Sequence, residues 1–249
     1  MTTNDDWQGA WRVVRFNWPF YLAATSASIA LLAVQQLQTS ATPRAFCLAA
    51  ALLVSWQTII SLLASHWVYD RSPLRDWRFL SALLPQEQPC IINIHSGYDE
   101  TTSHLIRIFP GASLEVIDLY PALGRREPSI VRARHFYPPT LEPISTAITD
   151  WPVEAGSVDL VLIAFAAHEL RAAEQRVALL KQARSVLNRS GRIVLVEHVR
   201  DGANFLAFNL GMLHFYSAKE WLRCSEKAGL KLQSRAKITP LVEILTLCP

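Results

Sequence analysis

Two long apolar stretches close to the N-terminus constrain the fold of this chain more than any other feature. Residues 16–34 (FNWPFYLAATSASIALLAV) and residues 45–68 (AFCLAAALLVSWQTIISLLASHWV) contain no Lys, Arg, Asp or Glu. A helix of roughly 20 apolar residues is long enough to cross a bilayer. We therefore predict a hairpin of two transmembrane helices, at about residues 16–36 and 45–68.

Two other interpretations of these stretches are a secretory signal peptide and a pair of core helices in a soluble domain. A signal peptide has an apolar core of about 7–15 residues behind a basic head. The first stretch is longer than that, and the segment before it (MTTNDDWQGAWRVVR) is mixed in charge. A second apolar stretch also follows at once, which favours the hairpin.

The charges that flank the hairpin predict its orientation. Its outer ends are rich in arginine, with Arg12, Arg15, Arg71, Arg75 and Arg78. The connection between the stretches has only Arg44. Because positively charged flanks stay in the cytoplasm, we expect a multi-pass protein of the cell inner membrane. Residues 1–72 would be its anchor, and residues 73–249 a cytoplasmic catalytic domain.

Charge and cysteine content exclude several classes of protein. The net charge is +3 and no basic run is present, so we predict no nucleic-acid partner. The four cysteines are scattered and form no C-x-x-C pair. The sequence therefore indicates neither a cysteine zinc site nor a disulfide framework.

Residues 73–249 alternate short apolar runs with amphipathic segments. The candidate strands are residues 90–94, 114–118, 142–145, 159–165, 192–197, 230–236 and 241–247, and the candidate helices are residues 100–109, 128–136, 170–187 and 218–228. This alternation with apolar central strands is typical of a parallel, doubly wound α/β sheet. The last two strands, joined by a short turn, are expected to pair antiparallel.

Five segments of this domain resemble, in order and spacing, the landmarks of class I S-adenosylmethionine-dependent methyltransferases. They are IINIHSGYDE, FPGASLEVIDLYP, WPVEAGSVDLVLIAFAAHEL, ARSVLNRSGRIVLVEH and FYSAKEWLRCSEKAGLKL. The resemblance covers about residues 89–249 and extends to the type that includes quinone and lipid methyltransferases. It implies a Rossmann-like sheet and S-adenosylmethionine as the cofactor.

Three residues match the family pattern in kind or position. The resemblance implies that Gly97 belongs to the cofactor loop, where a missing side chain lets the backbone approach the ligand. It implies that Asp118, at the end of the second strand, accepts hydrogen bonds from the two ribose hydroxyls. Ala166 lies just past the fourth strand, where the family lines the methyl-transfer pocket.

Three further residues occupy cofactor positions with a different side chain. The family loop D-x-G-x-G-x-G reads NIHSGYD here, so Asn93 replaces the first-strand acid and His95 lies within the loop. Ala147 falls where the family has the aspartate that binds the adenine amino group. We include all three in the expected cofactor site.

Imidazole and carboxylate groups collect where the predicted strands end, the edge at which such sheets bind ligands. They are His95, Asp99, Glu100, His168, Glu169, Glu197 and His198. We assign catalysis to His168, His198 and Glu169, with a histidine as general base. Polar lining and helix capping are the alternative. A metal site is also open, but no H-x-x-x-H spacing is present and we assign no metal ligands.

An apolar connection, residues 198–217 (HVRDGANFLAFNLGMLHFYS), follows the fifth predicted strand. It suits the cover of a pocket for a lipophilic acceptor. A core helix under the sheet edge and a contact with the bilayer surface are the other interpretations.

The sequence thus predicts a membrane-anchored, S-adenosylmethionine-dependent methyltransferase. Its expected partners are the lipid bilayer and a lipophilic small molecule: a quinone precursor, a fatty acid or a lipid. One alternative is a metal-dependent enzyme on a methyltransferase scaffold that modifies a quinone. Another is a membrane-tethered binding protein without catalysis.

Overall fold

The computed structural model describes residues 5–84, 88–124 and 126–249. Two long helices come first, α1 (Gln8–Leu37) and α2 (Ala41–His66), and pack against each other as a hairpin. By length and composition, both could cross a membrane. In the first helix, the most apolar 18-residue window is not buried at all. In the second helix, 11% of the corresponding window is buried. Two core helices of a soluble domain would be mostly buried, so the exposure favours the transmembrane interpretation.

Helix α1 bends where it leaves the domain surface. Asn17 has non-helical backbone angles, and Pro19 follows it inside the helix. A proline ring clashes with the carbonyl four residues earlier, which breaks the regular hydrogen bonding. The Asn17 side chain donates to the carbonyl of Val13 at 3.1 Å and compensates for part of that loss. The segment before the bend can therefore lie against the domain, with Ala10 and Phe16 buried.

The base of the hairpin is held by one buried carboxylate. Asp70 follows α2 and accepts hydrogen bonds from the backbone N–H groups of Gly9 and Ala10, at 2.6 and 3.0 Å. These are N-terminal donors of α1 that have no partner within the helix. A Cβ on Gly9 would lie 2.3 Å from the Cβ of Tyr69, so only glycine allows this approach.

The rest of the chain forms a seven-stranded sheet in the order β3-β2-β1-β4-β5-β7-β6. The strands are β1 (Cys90–His95), β2 (Ser113–Asp118), β3 (Ile144–Ser145), β4 (Val158–Ala164), β5 (Leu187–His198), β6 (Lys231–Thr239) and β7 (Val242–Cys248). The first five are parallel, and β7 pairs antiparallel with both β5 and β6. The predicted doubly wound α/β sheet behind two apolar helices is confirmed.

The helices of this domain are α3 (Thr102–Ile108), α4 (Pro128–Phe136), α5 (Ala173–Val186), α6 (Gly202–Phe208) and α7 (Ala218–Lys227). Helix α4 has the predicted bounds, and α3 and α5 are shorter than predicted. Strand β5 begins at Leu187 instead of residue 192, because residues 187–191 are also part of the strand. A Cβ on Gly191 would lie 2.6 Å from the Val158 carbonyl oxygen, so its missing side chain permits the close pairing.

Buried side chains cover both faces of the sheet. Ile92 and Ile163 belong to the core on one face, whereas Ile91 and Leu162 belong to the core on the other. Continuous apolar strands are expected when both faces of a parallel sheet are covered. The second core also includes Val68, just after α2, so the end of the hairpin is built into the α/β domain.

Candidate active site

A cavity of about 1540 Å³ lies between the hairpin and the carboxyl ends of the central strands. One part of its wall is polar and includes Glu100, His168 and His214. Another part comes from the middle of the hairpin and includes Tyr21 and Leu53. The cavity therefore connects the polar edge of the sheet with the apolar helices.

His168 lies on a short 3₁₀ turn directly after β4. Phe165, between the strand and the turn, has a φ of 50°, in the left-handed region that is uncommon for a bulky residue. Its N–H donates to the carbonyl of Val196 at 2.9 Å, which fixes the bend. The bend brings His168 to the cavity at the sheet edge, where the sequence predicts it.

Glu197, near the end of β5, holds His168 in place. Its Oε2 lies 2.7 Å from Nδ1 of the imidazole. Its Oε1 accepts hydrogen bonds from the backbone N–H groups of Ala167 and His168, at 3.0 and 3.3 Å. Because a carboxylate only accepts, Nδ1 carries a proton and Nε2 is the atom left for other partners.

Nε2 of His168 faces Glu169, whose Oε1 lies 3.2 Å away and also 3.0 Å from Nε2 of His214. We call these three residues the His–Glu–His cluster. Burial alone would lower the pKa of His168, but Glu197 and Glu169 outweigh it and raise that pKa to about 10. Burial would raise the pKa of Glu169, but the two imidazoles hold it far below its usual range. The attraction between the imidazole and the carboxylates thus offsets the energetic cost of burying these groups.

His198 also lines the cavity, and both of its ring nitrogens are engaged. Nδ1 lies 3.0 Å from the carbonyl of Leu241, and Nε2 lies 3.2 Å from the Tyr69 hydroxyl. The ring stacks on Phe215 at 4.9 Å between centroids. Burial lowers the pKa of His198 to about 4. His198 is therefore a neutral wall residue, and we do not retain it as the general base.

Asn93 organises the loop after β1 from within. Its side-chain oxygen accepts from the Thr101 hydroxyl at 2.7 Å, and its nitrogen donates to Thr102 at 2.8 Å and to Asp99 at 3.3 Å. The side chain is fully buried. Every polar atom of Asn93 is thus used inside the chain, in the role of loop support.

Asp118 ends β2 at the predicted place and is fully buried. One carboxylate oxygen accepts from the Tyr120 N–H at 2.9 Å, and the other is paired with the guanidinium of Arg134. His95 Nδ1 lies 3.4 Å from the first oxygen, and burial lowers the pKa of His95. Its Nε2 is buried without a hydrogen-bond partner in the described part of the chain.

Gly97 has a φ of 102°, a conformation that favours glycine. A Cβ there would lie 2.6 Å from the Tyr120 ring and 2.9 Å from Ile130. These side chains cover the backbone that a cofactor loop would offer to its ligand. The guanidinium of Arg134 in turn lies 4.9 Å from the centre of the Tyr120 ring.

The expected cofactor residues fit S-adenosylmethionine in part. The acid, the positive-φ glycine and an unpartnered buried nitrogen on His95 lie together at the ends of β1 and β2. However, Arg134 and Tyr120 occupy the carboxylate and cover the glycine, so both side chains must move before a ribose can reach Asp118.

The two expected alanines differ in burial. Ala166 is buried just after β4, as predicted, and its carbonyl accepts from the Glu169 N–H at 3.2 Å. Ala147 follows the short strand β3 and is exposed. Neither is among the residues that line the cavity.

The start of α1 contributes side chains to this region that sequence reasoning placed in the anchor alone. Arg12 donates to the Tyr98 hydroxyl at 3.4 Å, and Arg15 donates to the Tyr137 hydroxyl at 3.3 Å. The Phe16 ring lies edge-on to both tyrosines, at 4.9 and 5.6 Å. No local pattern in the sequence could reveal these contacts, because they join segments far apart in the chain.

No protein-family model matches the sequence, and no curated protein matches it. Solved structures do match. A SAM-dependent methyltransferase from Aquifex aeolicus has a TM-score of 0.54 at 15% identity, over 77% of this chain and 97% of that one. The mitomycin 7-O-methyltransferase MmcR has a TM-score of 0.55 at 14% identity, over 98% of this chain and 73% of that one.

CalO1, a methyltransferase of calicheamicin biosynthesis solved with S-adenosylhomocysteine bound, has a TM-score of 0.50 at 15% identity. The match covers 81% of this chain but only 57% of CalO1, so this chain spans little more than half of that protein. At such identities the likeness concerns the fold. The chain has the fold of class I S-adenosylmethionine-dependent methyltransferases.

Proposed function

We propose that this protein is a membrane-associated, S-adenosylmethionine-dependent methyltransferase that methylates an oxygen of a lipophilic acceptor. The observation that carries the proposal is the cavity between the hairpin and the sheet. It has the His–Glu–His cluster at its polar end and apolar side chains of the hairpin along its wall. A lipophilic molecule with one reactive polar group matches both ends.

The fold supports methyl transfer as the reaction. MmcR is by name an O-methyltransferase, and CalO1 binds S-adenosylhomocysteine, the demethylated cofactor. When bound, S-adenosylmethionine supplies an activated methyl group on a sulfonium. Asp118 and Gly97 are the residues that would hold it, once Tyr120 and Arg134 have moved aside.

His168 and Glu169 are the groups that an acceptor's hydroxyl or carboxyl would meet at the polar end. Glu197 fixes the imidazole through Nδ1, so the ring is already oriented when the acceptor arrives. Such positioning is the main contribution that a protein makes to a displacement between two bound molecules. Because its pKa is raised to about 10, His168 is protonated near neutral pH, so it can donate a hydrogen bond from Nε2 to an acceptor oxygen that has released its proton to solvent.

Exposed apolar surface supports an association with the bilayer. Large apolar side chains of the hairpin face outward, among them Phe46, Leu52 and Trp56, which are 61–72% exposed. The surface continues onto the apolar connection, where Leu206 and Leu210 are 71 and 72% exposed. Exposed apolar area of this extent indicates a membrane or protein interaction.

The apolar connection is joined directly to the hairpin. Gln57 of α2 donates to the carbonyl of Ala207 in α6, at 3.2 Å. The connection is therefore a route by which an acceptor can pass from the bilayer to the cavity.

Both ends of the hairpin lie in the cytoplasm in this proposal, with the bilayer and the acceptor as the partners. Resistance of the full-length chain to extraction by carbonate tests the anchor.

A second candidate, a membrane-tethered binding protein without catalysis, is favoured by one observation. Arg134 and Tyr120 cover the residues that would hold the cofactor. If they stay in place, the cavity can still bind a lipophilic molecule, but no methyl donor reaches it.

The test is incubation of the purified full-length protein with S-adenosylmethionine carrying a trideuterated methyl group and an extract of cell-membrane lipids. Mass spectrometry should find a lipophilic product heavier by the labelled methyl group, and tandem fragmentation should place it on oxygen. A control with heat-denatured protein excludes chemical methylation. Binding of a lipophilic molecule with no labelled product would select the second candidate.

A further inference from the structure

We propose that the His–Glu–His cluster (His168, Glu169 and His214) binds a divalent transition-metal ion, with Glu197 orienting one ligand. Among the residues that the structure describes, these three form a group whose potential ligand atoms all lie within 4.8 Å of one another. The proposal that the cluster binds a metal is argued from its geometry alone. The proposal that the acceptor oxygen binds to this metal rests on the proposed function.

Two of the three spacings between the ligand atoms match a coordination sphere, and the third pair, His168 and His214, lies within 4.8 Å. Glu169 Oε1 lies 3.2 Å from Nε2 of His168 and 3.0 Å from Nε2 of His214. Metal bonds to imidazole and carboxylate are about 2.0–2.2 Å long in zinc sites. When the ligand–metal–ligand angle lies between the octahedral and the tetrahedral value, the two ligand atoms are about 2.9–3.5 Å apart. One ion can therefore contact all three residues after small side-chain rotations.

The ligand His168 has the outer support that metal-binding histidines need. Glu197 accepts from Nδ1 at 2.7 Å, so Nδ1 keeps its proton and an ion that binds at Nε2 displaces the proton carried there. A carboxylate behind a ligating imidazole is the usual arrangement in metal sites, because it fixes the tautomer and raises ligand basicity. The side chain of Glu197 is only 2% exposed and is held in turn by two backbone N–H groups.

Arg171 is the cation that now faces the cluster. Its Nη2 lies 2.7 Å from Nδ1 and 2.9 Å from Nε2 of His214, the proposed ligand atom, and 3.7 Å from Oε2 of Glu169. The same nitrogen also reaches Glu127, at 3.3 Å, and the side chain is 38% exposed. Arg171 can therefore turn toward Glu127 and solvent when an ion enters. Until it does, it competes with the ion for the Glu169 carboxylate.

The donor set indicates the kind of ion. Imidazole nitrogens suit borderline ions such as Zn²⁺, Co²⁺ and Fe²⁺, whereas Mg²⁺ and Ca²⁺ prefer oxygen ligands. With three protein ligands, coordination positions stay open toward the cavity. An acceptor oxygen bound there would be polarised and would lose its proton more easily. Acceptors with an acidic hydroxyl or a pair of neighbouring oxygens are the class that fits.

The experiment is a metal titration of the full-length protein in detergent, after treatment with a chelator. Calorimetry with Zn²⁺ should show one ion per chain, and Co²⁺ should give visible absorption bands of nitrogen and oxygen ligation. Mg²⁺ at the same concentration is the control and should bind at least about 100-fold more weakly. Wild-type protein that binds Zn²⁺ no better than Mg²⁺ would overturn the proposal.

Variants locate the ion. His214→Ala, at a partly exposed position, should weaken Zn²⁺ binding at least 100-fold, and Glu197→Gln should weaken it about 10- to 100-fold. His135→Ala removes an exposed imidazole outside the cavity and should leave the affinity unchanged. Arg171→Ala should strengthen binding, because the competing cation is gone. Unchanged affinity in His214→Ala, with native circular dichroism, places the ion elsewhere and refutes the site.

Failure of the metal site and failure of the proposed function are distinguishable. Zn²⁺ binding that is lost in His214→Ala, in a protein that forms no labelled product, supports the metal site and contradicts methyl transfer. The opposite result is a protein that binds no Zn²⁺ and forms labelled product at an unchanged rate in the presence of chelator. That result supports methyl transfer and contradicts the metal site.

Discussion

The hairpin and the α/β domain use the same apolar residue types in opposite surroundings. Ile92 and Ile163 in the sheet are completely buried, whereas Leu52 and Leu53 in α2 are 62 and 67% exposed. The sheet hides its apolar surface inside the protein, and the hairpin presents it outward. The proposed membrane association accounts for this difference, because lipid would then surround the hairpin.

The two regions nevertheless meet in a specific way. Asp70 binds the start of α1, and Val68 is part of the core beneath the sheet. The cavity lies at this junction, with walls from both regions. The hairpin therefore contributes part of the cavity wall.

The largest expected difference in stability comes from matched Leu→Ala substitutions in the two regions. Leu162→Ala, at a fully buried position of β4, should lower the free energy of unfolding by about 2–5 kcal/mol. Leu52→Ala, on the exposed face of α2, should change it by less than about 0.5 kcal/mol in detergent. Urea unfolding followed by tryptophan fluorescence measures both. Equal losses would mean that α2 packs like a core helix and would break the comparison.

Much of each region could be predicted from the sequence, because the signals are local. The apolar stretches show as long uncharged runs, and the strands as short apolar runs between turns. Even so, β3 is reduced to Ile144–Ser145 and β5 extends back to Leu187. Pairing partners, which no local pattern encodes, decide where a strand ends.

The site could be predicted only in position. His168, Glu169 and Asp118 lie at the strand ends where the resemblance puts them. Their partners come from distant segments, as with Arg134 on Asp118 and His214 on Glu169. Side-chain direction across the fold determines these pairs, and one sequence does not contain that information.

The cofactor residues belong to the α/β domain, and their role can be tested separately from that of the hairpin. Asp118→Ala should weaken binding of S-adenosylhomocysteine by about 1.5–3 kcal/mol, the range for hydrogen bonds to a charged group. Arg134→Ala, which frees the same carboxylate, should strengthen it. Calorimetry measures both variants. Unchanged affinity in Asp118→Ala would remove that residue from the site.

The junction itself can be loosened at Asp70. Asp70→Ala removes the acceptor for Gly9 and Ala10 and should cost about 1.5–3 kcal/mol of local stability. Hydrogen exchange of these two amides should accelerate, while amides of β4 keep their protection. Uniform acceleration across the sheet would show that the hairpin base and the sheet unfold as one unit.

A pH-dependent effect concerns Glu100, on the cavity wall. Burial raises the pKa of Glu100 to about 7 from an ordinary value of 4.5, although Arg12 opposes the shift. The folded state then binds more protons than the unfolded state between these values, so stability falls as pH rises from about 4.5 to 7. Glu100→Gln should flatten this part of the profile in urea unfolding at several pH values. A wild-type profile that rises across the window would contradict the assignment.

The most direct measurement of the central claim is the turnover of His168→Ala per folded molecule. Turnover is the formation of labelled methyl product, with folded protein counted by circular dichroism and thermal unfolding on the same preparation. If His168 acts on the acceptor where the hairpin meets the sheet, turnover should fall about 100- to 10,000-fold. The control His135→Ala should match wild type. Wild-type turnover in folded His168→Ala would contradict the account and leave this histidine as a packing residue.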